Sequence, residues 1–262
     1  MARTAAPLPP LPFDVRLAHA GTNVLLVLLA LALLAGAMAW LARLPAFDLR
    51  GISLEGDLAH NSPLTMRAIV APKLSGSFLS LDLERARDAF ESVPWVRHAT
   101  VRRLWPDRLA VQLEEHRVAA LWNADARDER LVNTFGEVFE ANLGDVDEDT
   151  LPRLSGPAGS AARVLAMWRA LVPQLQPLGS PLESLALTGH GSWRAKLGNG
   201  VTVELGRGEP DVVAARAARF VRTWPLVSAS YQRPLLAADL RHPDGYAVRL
   251  KGVTTTTNAS RN

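Results

Sequence analysis

The chain contains no cysteine, which excludes disulfides, cysteine-ligated zinc, thiol catalysis and lipidation at Cys. Convergent titratable groups, the usual mark of a catalytic site, are also lacking. His19, His60, His98, His116, His190 and His242 are scattered without H-E-x-x-H spacing, and they read as surface histidines rather than metal ligands. No G-x-S-x-G nucleophile turn is present. Asp145, Asp147 and Asp149 imitate the start of a calcium loop, but Thr150 replaces the required glycine and Gly156 stands where the bidentate Glu belongs. That segment reads as a solvated acidic turn. Gly206-Arg207-Gly208 precedes a helix, yet Asp211 occupies the third glycine position of G-x-G-x-x-G and would repel a phosphate. Charge of one sign is missing as well: 29 Lys and Arg against 26 Asp and Glu leave a formal net charge of +3, which makes no case for a nucleic-acid partner. These absences point away from an enzyme, a cofactor or a metal site, and toward binding.

What the chain does have is one long apolar run. Val24 to Ala42 carries no charge, no Pro and a single Gly, Gly36. At 1.5 Å per residue this spans roughly 28 Å as a helix, close to the hydrocarbon thickness of a bilayer. Trp40, Arg43 and Pro45 mark its far boundary. Ala37-Met38-Ala39 has the small-x-small form of a signal-peptide cleavage site, but the run continues past it and exceeds the usual length, so a permanent anchor is the reading adopted. Orientation is not fixed by charge, since Arg3 and Arg16 precede the run and Arg43 and Arg50 follow it. Pro7, Pro9, Pro10 and Pro12 make the N-terminal segment a flexible tail, and 254–262 reads as a polar, frayed end.

Beyond Pro45, Leu49, Ile52 and Leu54 suggest a strand that ends at Gly56. Ser62-Pro63 opens a helix that stops before Pro72, and Asp82 caps a second one through Ser92. Trp95 to Leu104 and Arg108 to Glu115 read as strands joined by Trp105-Pro106-Asp107. Strand, helix, helix, strand, strand within about seventy residues is a compact α+β unit. A second, mostly antiparallel β domain follows. Its expected strands are Val118 to Trp122, Arg130 to Thr134, Val138 to Ala141, Leu182 to Leu187, Trp193 to Leu197, Val201 to Glu204, Leu235 to Arg241 and Tyr246 to Leu250. Helices are expected over Gly159 to Val172 and Pro210 to Trp224. Asn199-Gly200 predicts a type I′ hairpin with positive φ at both positions.

Two surfaces are candidates for binding. If Tyr246 to Leu250 is the last strand of its sheet, another chain can add a strand along its open side, unless the polar tail covers it. On the last helix, Arg216, Arg219 and Arg222 recur every three residues, opposite Val212, Val213, Ala217, Phe220 and Val221, and an acidic partner segment would pair with that row.

The run Val93-Pro94-Trp95-Val96 with Ala99, Val101, Arg103, Trp105-Pro106, Leu109, Val111 and Glu114 resembles the POTRA domain of the FtsQ/DivIB cell-division family. The resemblance continues through Leu131-Val132-Asn133, Gly136-Glu137-Val138-Phe139, Leu205-Gly206-Arg207-Gly208 and Asp239-Leu240-Arg241, covering Ile52 to Leu250. It implies a cytoplasmic tail over 1–22, a transmembrane helix over 23–44, a POTRA domain over 47–116, a β domain over 117–252 and a disordered end over 253–262. It further implies a non-enzymatic, single-pass type II protein of the inner membrane at the division septum, with its bulk in the periplasm. In that family the last sheet edge and its neighbouring helix receive the periplasmic segment of FtsB, which travels with FtsL. By resemblance this role falls on Arg207, Arg241, His242, Asp244, Gly245 and Val248; Tyr246, which opens the expected last strand, is counted with them as partner-binding. The POTRA unit would supply a second docking surface, toward FtsK, FtsW or FtsI. The alternative is a POTRA-bearing export factor that binds unfolded chains, but too few residues remain for the barrel that would follow.

Overall fold

The computed structural model describes residues 13–41, 49–56, 58–74, 77–123 and 129–253. Helix α1 (Phe13–Leu41) contains the apolar run. Its window Gly21–Met38 has a mean hydropathy of 2.2 and no buried residue, and Leu25 and Leu33 are about two-thirds exposed. A helix of that length and composition has the properties of one membrane span. The helix itself extends back to Phe13, and the segment from Phe13 to Ala20 contains no Pro or Gly to stop it. The N-terminal prolines, Arg43, Pro45 and residues 254–262 lie outside the described residues.

The chain divides into two compact units. Beyond α1, the first takes the strand before residue 57 together with residues 63–93 and 98–113. It is built from β1 (Gly51–Gly56), α2 (Pro63–Val70), α3 (Leu83–Glu91), β2 (Val96–Leu104) and β3 (Arg108–Glu115). The sheet order is β1-β3-β2, with β1 parallel to β3 and Leu54 opposite Val111. This is the expected element order. Asp82 caps α3 as its sequence position implies, its carboxylate accepting from the N–H groups of Glu84 and Arg85 at 3.0 and 3.3 Å. Met66, Val70, Phe78, Phe90, Leu109 and Val111 form the buried interior. The Arg103 guanidinium ties the loop before α3 to β2 by donating to the carbonyls of Phe78 and Leu81 at 2.8 and 2.6 Å.

The second unit comprises residues 58–62, 94–97 and 114 onward. Its strands are β4 (Val118–Asn123), β5 (Glu129–Asn133), β6 (Val138–Phe139), β7 (Arg153–Ser155), β8 (Leu182–Leu187), β9 (Ser192–Leu197), β10 (Thr202–Arg207), β11 (Leu235–Asp239) and β12 (Ala247–Leu250), with helices α4 (Ala161–Leu175) and α5 (Pro210–Tyr231). They form one sheet in the order β12-β11-β10-β9-β8-β7-β4-β5-β6. Most neighbours are antiparallel; β7 is parallel to both β4 and β8, and β10 is parallel to β11. The three-residue β7 has no counterpart in the sequence reading, being too short to show alternation. Val164, Met167 and Leu171 of α4 and Val213, Ala217 and Phe220 of α5 join Leu185, Trp193, Ala195 and Val203 of the strands in one apolar core. Burial of such side chains stabilises the unit by roughly 1.5–3 kcal/mol each.

The β9–β10 hairpin departs from expectation. Gly200 has φ +84°, but Asn199 does not enter the left-handed region. The Leu197 N–H donates to the Val201 carbonyl at 2.9 Å, and the Gly200 N–H donates back to Leu197 at 2.8 Å. The loop therefore holds three residues with glycine at its last, left-handed position, and the Asn199 side chain caps the turn by accepting from the Val201 N–H.

At the β6 end of the sheet, residues scattered in sequence meet. Trp95 (φ +73°) stacks on His60 at 4.0 Å and meets the Phe139 ring edgewise, while Phe139 stacks on His116 at 4.0 Å. The buried Glu115 carboxylate accepts from the His60 N–H and from Asn61. The Asn133 side-chain oxygen accepts from the N–H groups of Phe135 and Glu137, which turns its NH₂ toward His116 Nδ1 at 2.9 Å. That ring nitrogen must accept, so His116 is neutral. Burial holds its pKa below the usual histidine value; Glu137 and Glu114 act against this shift, and Arg97 adds to it.

Candidate partner-binding edge

At the other end of the sheet the last strand is β12. Among the described residues no strand pairs with its outer side. It runs antiparallel to β11, with Ala238 opposite Val248 and Asp239 opposite Ala247. In such a pair, alternate residues direct their N–H and C=O away from the neighbour, so the outer rim of β12 offers donors and acceptors to an added strand. Ala247 and Arg249 are exposed, Leu250 is buried, and Val248 packs against the core. The strand therefore presents backbone rather than an apolar side-chain surface.

Tyr246, just before β12, fastens this edge to α5. Its ring meets Phe220 edge-on at 4.9 Å, and its hydroxyl shares a hydrogen bond of 2.8 Å with Thr223. The expected row on α5 is split by the structure. Arg216 turns inward at its tip and donates to the carbonyls of Leu205 and, at 3.2 Å, Arg207. Arg219 and Arg222 are exposed, and their guanidinium groups have no hydrogen bond or ion pair among the described residues.

Arg216 is held where β10 bulges between Glu204 and Gly206. Gly206 has φ +81°, and a β-carbon there would lie 3.1 Å from Arg216 Nη1 and 3.2 Å from Arg241 Cγ. Only glycine lets the two arginines close over the strand end. Arg241 is itself engaged by Asp239, through Nε to Oδ1 at 2.9 Å and Nη2 to Oδ2 at 2.6 Å. That pairing pulls the Asp239 pKa down to about 2.

The predicted residues thus sort into three groups. Arg216 and Arg241 gather at the β10 corner with the backbone of Arg207. His242 and Asp244 are exposed in the loop leading to Gly245 and Tyr246. Arg219 and Arg222 stand apart, farther along α5. Thr223 and Phe220 as anchors of Tyr246 are absent from the sequence reading. Phe220 shows only as part of the helix face that carries the buried Ala217, and the exposed Thr223 gives no signal at all.

Residues 47–116 match the family model described as the POTRA domain, FtsQ-type. Residues 120–241 match that of the cell division protein FtsQ/DivIB, C-terminal. The cell division protein FtsQ of Thiomonas arsenitoxydans is 41% identical over 245 residues, covering 93% of this chain and 90% of that protein. The one from Burkholderia pseudomallei is 41% identical over 249 residues, covering 95% and 98%. That from Neisseria meningitidis is 30% identical over 228 residues, covering 87% and 93%. With both modules matched in order behind the apolar helix α1, and relatives similar along nearly their whole length, this chain belongs to the FtsQ/DivIB family of cell division proteins.

Proposed function

We propose that the chain is a non-enzymatic docking scaffold of the division machinery, which captures FtsB, and FtsL with it, by strand addition along the outer edge of β12. The observation that carries this reading is the rim of β12, which no strand among the described residues pairs, at the end of a nine-stranded sheet. Strand addition draws its affinity from main-chain hydrogen bonds, which suits a strand that offers backbone and little apolar side-chain surface. Arg207, His242 and Asp244 would line the approach, with Gly245, Tyr246 and Val248 setting the course of the strand and Arg241 holding the corner. α1 anchors the scaffold in the inner membrane at the septum, with its N-terminus cytoplasmic and the two units periplasmic. The POTRA unit supplies a second surface, for FtsK, FtsW or FtsI, so that the chain links early and late division proteins.

Hydrogen exchange on the full-length chain in nanodiscs, with and without an FtsB–FtsL complex, tests the reading. Strand addition slows exchange of alternate amides over Ala247–Leu250 by at least about tenfold. Binding that protects other segments and leaves those amides unchanged would refute it.

A further inference from the structure

Helix α5 has a second face that the core does not use. Its inner stripe, Val213, Ala217, Phe220 and Trp224, packs on the sheet. Val212, Ala215, Arg219, Arg222, Leu226 and Ala229 are all exposed, with Val212 50% and Leu226 74% accessible. Their spacing is three, four, three, four, three. At 100° per residue these six positions fall on one narrow stripe, nearly opposite the inner one and about 26 Å long. Alternating steps of three and four are the spacing by which one helix seats the knobs of another. Apolar or small residues lie toward both ends, and two positive charges without an ion pair among the described residues lie at the centre.

We infer that this stripe is a docking seam for a partner helix whose facing residues are acidic at the centre and apolar at both ends. The charge pattern selects the occupant. A second copy of this chain, seated in antiparallel register, would bring Arg219 and Arg222 against themselves, and like charges at facing seam positions oppose pairing. A membrane surface suits helices with a broad apolar face and basic residues on the polar side. Here the arginines lie within the stripe, where they would have to enter the apolar layer. A Glu or Asp side chain on a facing helix satisfies both guanidinium groups, with Leu226 as the knob and Ala215 and Ala229 allowing close approach. The seam lies on α5 and requires no strand on β12, so it stands or falls separately from strand addition.

The test is site-specific crosslinking in dividing cells, with the full-length chain carrying a photoreactive benzoyl-phenylalanine at position 212 or 226. The expected product joins the chain to a segment of another protein that has Glu or Asp at positions three or four residues apart, on the helical face that was captured. Its yield should fall about tenfold in an R219E/R222E background and should be kept in a chain whose β12 edge is blocked. R219Q/R222Q, which removes the charges without reversing them, gives an intermediate yield and guards against a folding effect of the reversal. Crosslinks confined to lipid or to a second copy of this chain overturn the inference. So do an absence of product at both positions, a captured segment without the acidic spacing, or a yield indifferent to both double variants.

Discussion

The two ends of the nine-stranded sheet are finished in opposite ways. At one end β6 is only two residues long, and the segment after it packs beside the neighbouring strands. Leu143, Val146 and Leu151 pack on Trp95, Leu121 and Leu131, Arg97 bridges Glu114 and Glu137 at 2.8 Å each, and Trp95 donates from its indole nitrogen to Asp145. At the other end β12 keeps four residues of strand with exposed Ala247 and Arg249. An exposed edge invites pairing with other chains, and very short strands or covering segments are the ordinary defences. The β6 end has the first defence, a strand cut to two residues; the β12 end, among the described residues, has neither. The difference separates a margin cut short from one that keeps a longer rim, and the proposed strand addition uses the second.

Substitutions at each end sharpen this contrast. The largest effect is expected at the closed end: Trp95→Ala should destabilise the second unit by about 3–5 kcal/mol, read as a shift in denaturant midpoint by circular dichroism. A loss under about 1 kcal/mol would mean that the aromatic cluster is incidental.

Next comes the pH response of the same end. His116 is neutral in the fold and has a lowered pKa, so the unfolded chain binds a proton that the folded one refuses. Its contribution is complete above the unfolded value of about 6.5 and is lost as pH falls through that value toward the lowered one. His116→Gln should flatten the fall in unfolding free energy between pH 7 and pH 5; an unchanged slope would assign that fall to other groups. Asp239, at the open end, acts in a different window. With its pKa held at about 2, its contribution is complete above the ordinary carboxylate value and is lost progressively as pH falls from that value through about 2.

At the open end the effects on folding are smaller. Tyr246→Phe removes the hydroxyl shared with Thr223 and keeps the ring on Phe220, for a loss of about 0.5–1 kcal/mol by the same denaturation measurement. Smallest of all, Arg249→Ala should change stability by less than about 0.5 kcal/mol. A substantial loss there would show that the edge serves the fold after all.

Much of this architecture was legible in the sequence. Asp82 announces α3, the strand runs of the first unit alternate visibly, and the apolar run of α1 stands out from everything around it. The readings that missed did so for identifiable reasons. Helices α4 and α5 run past Pro173 and Pro225, where local rules end a helix. In a helix interior proline removes one hydrogen bond and crowds the preceding turn, and packing of the buried face offsets that loss. Within the candidate site, the basic row on α5 was visible as spacing, but the inward turn of Arg216 depends on the bulge at Gly206, which no periodicity encodes. His60, His116 and Trp95 look unrelated along the chain because they come from segments of the second unit, 58–62, 94–97 and 114 onward, that lie far apart in sequence.

The tie between Tyr246 and α5 has a mechanical consequence. A four-residue strand at the rim of a sheet has few ladder bonds of its own with which to resist a load. Because Tyr246 rests on Phe220 and shares a hydrogen bond with Thr223, tension applied to the rim passes into a 22-residue helix that is seated across the sheet. Peeling the strand away therefore requires the ring to leave its place on the helix as well, so the grip at the margin draws on the strength of the whole core.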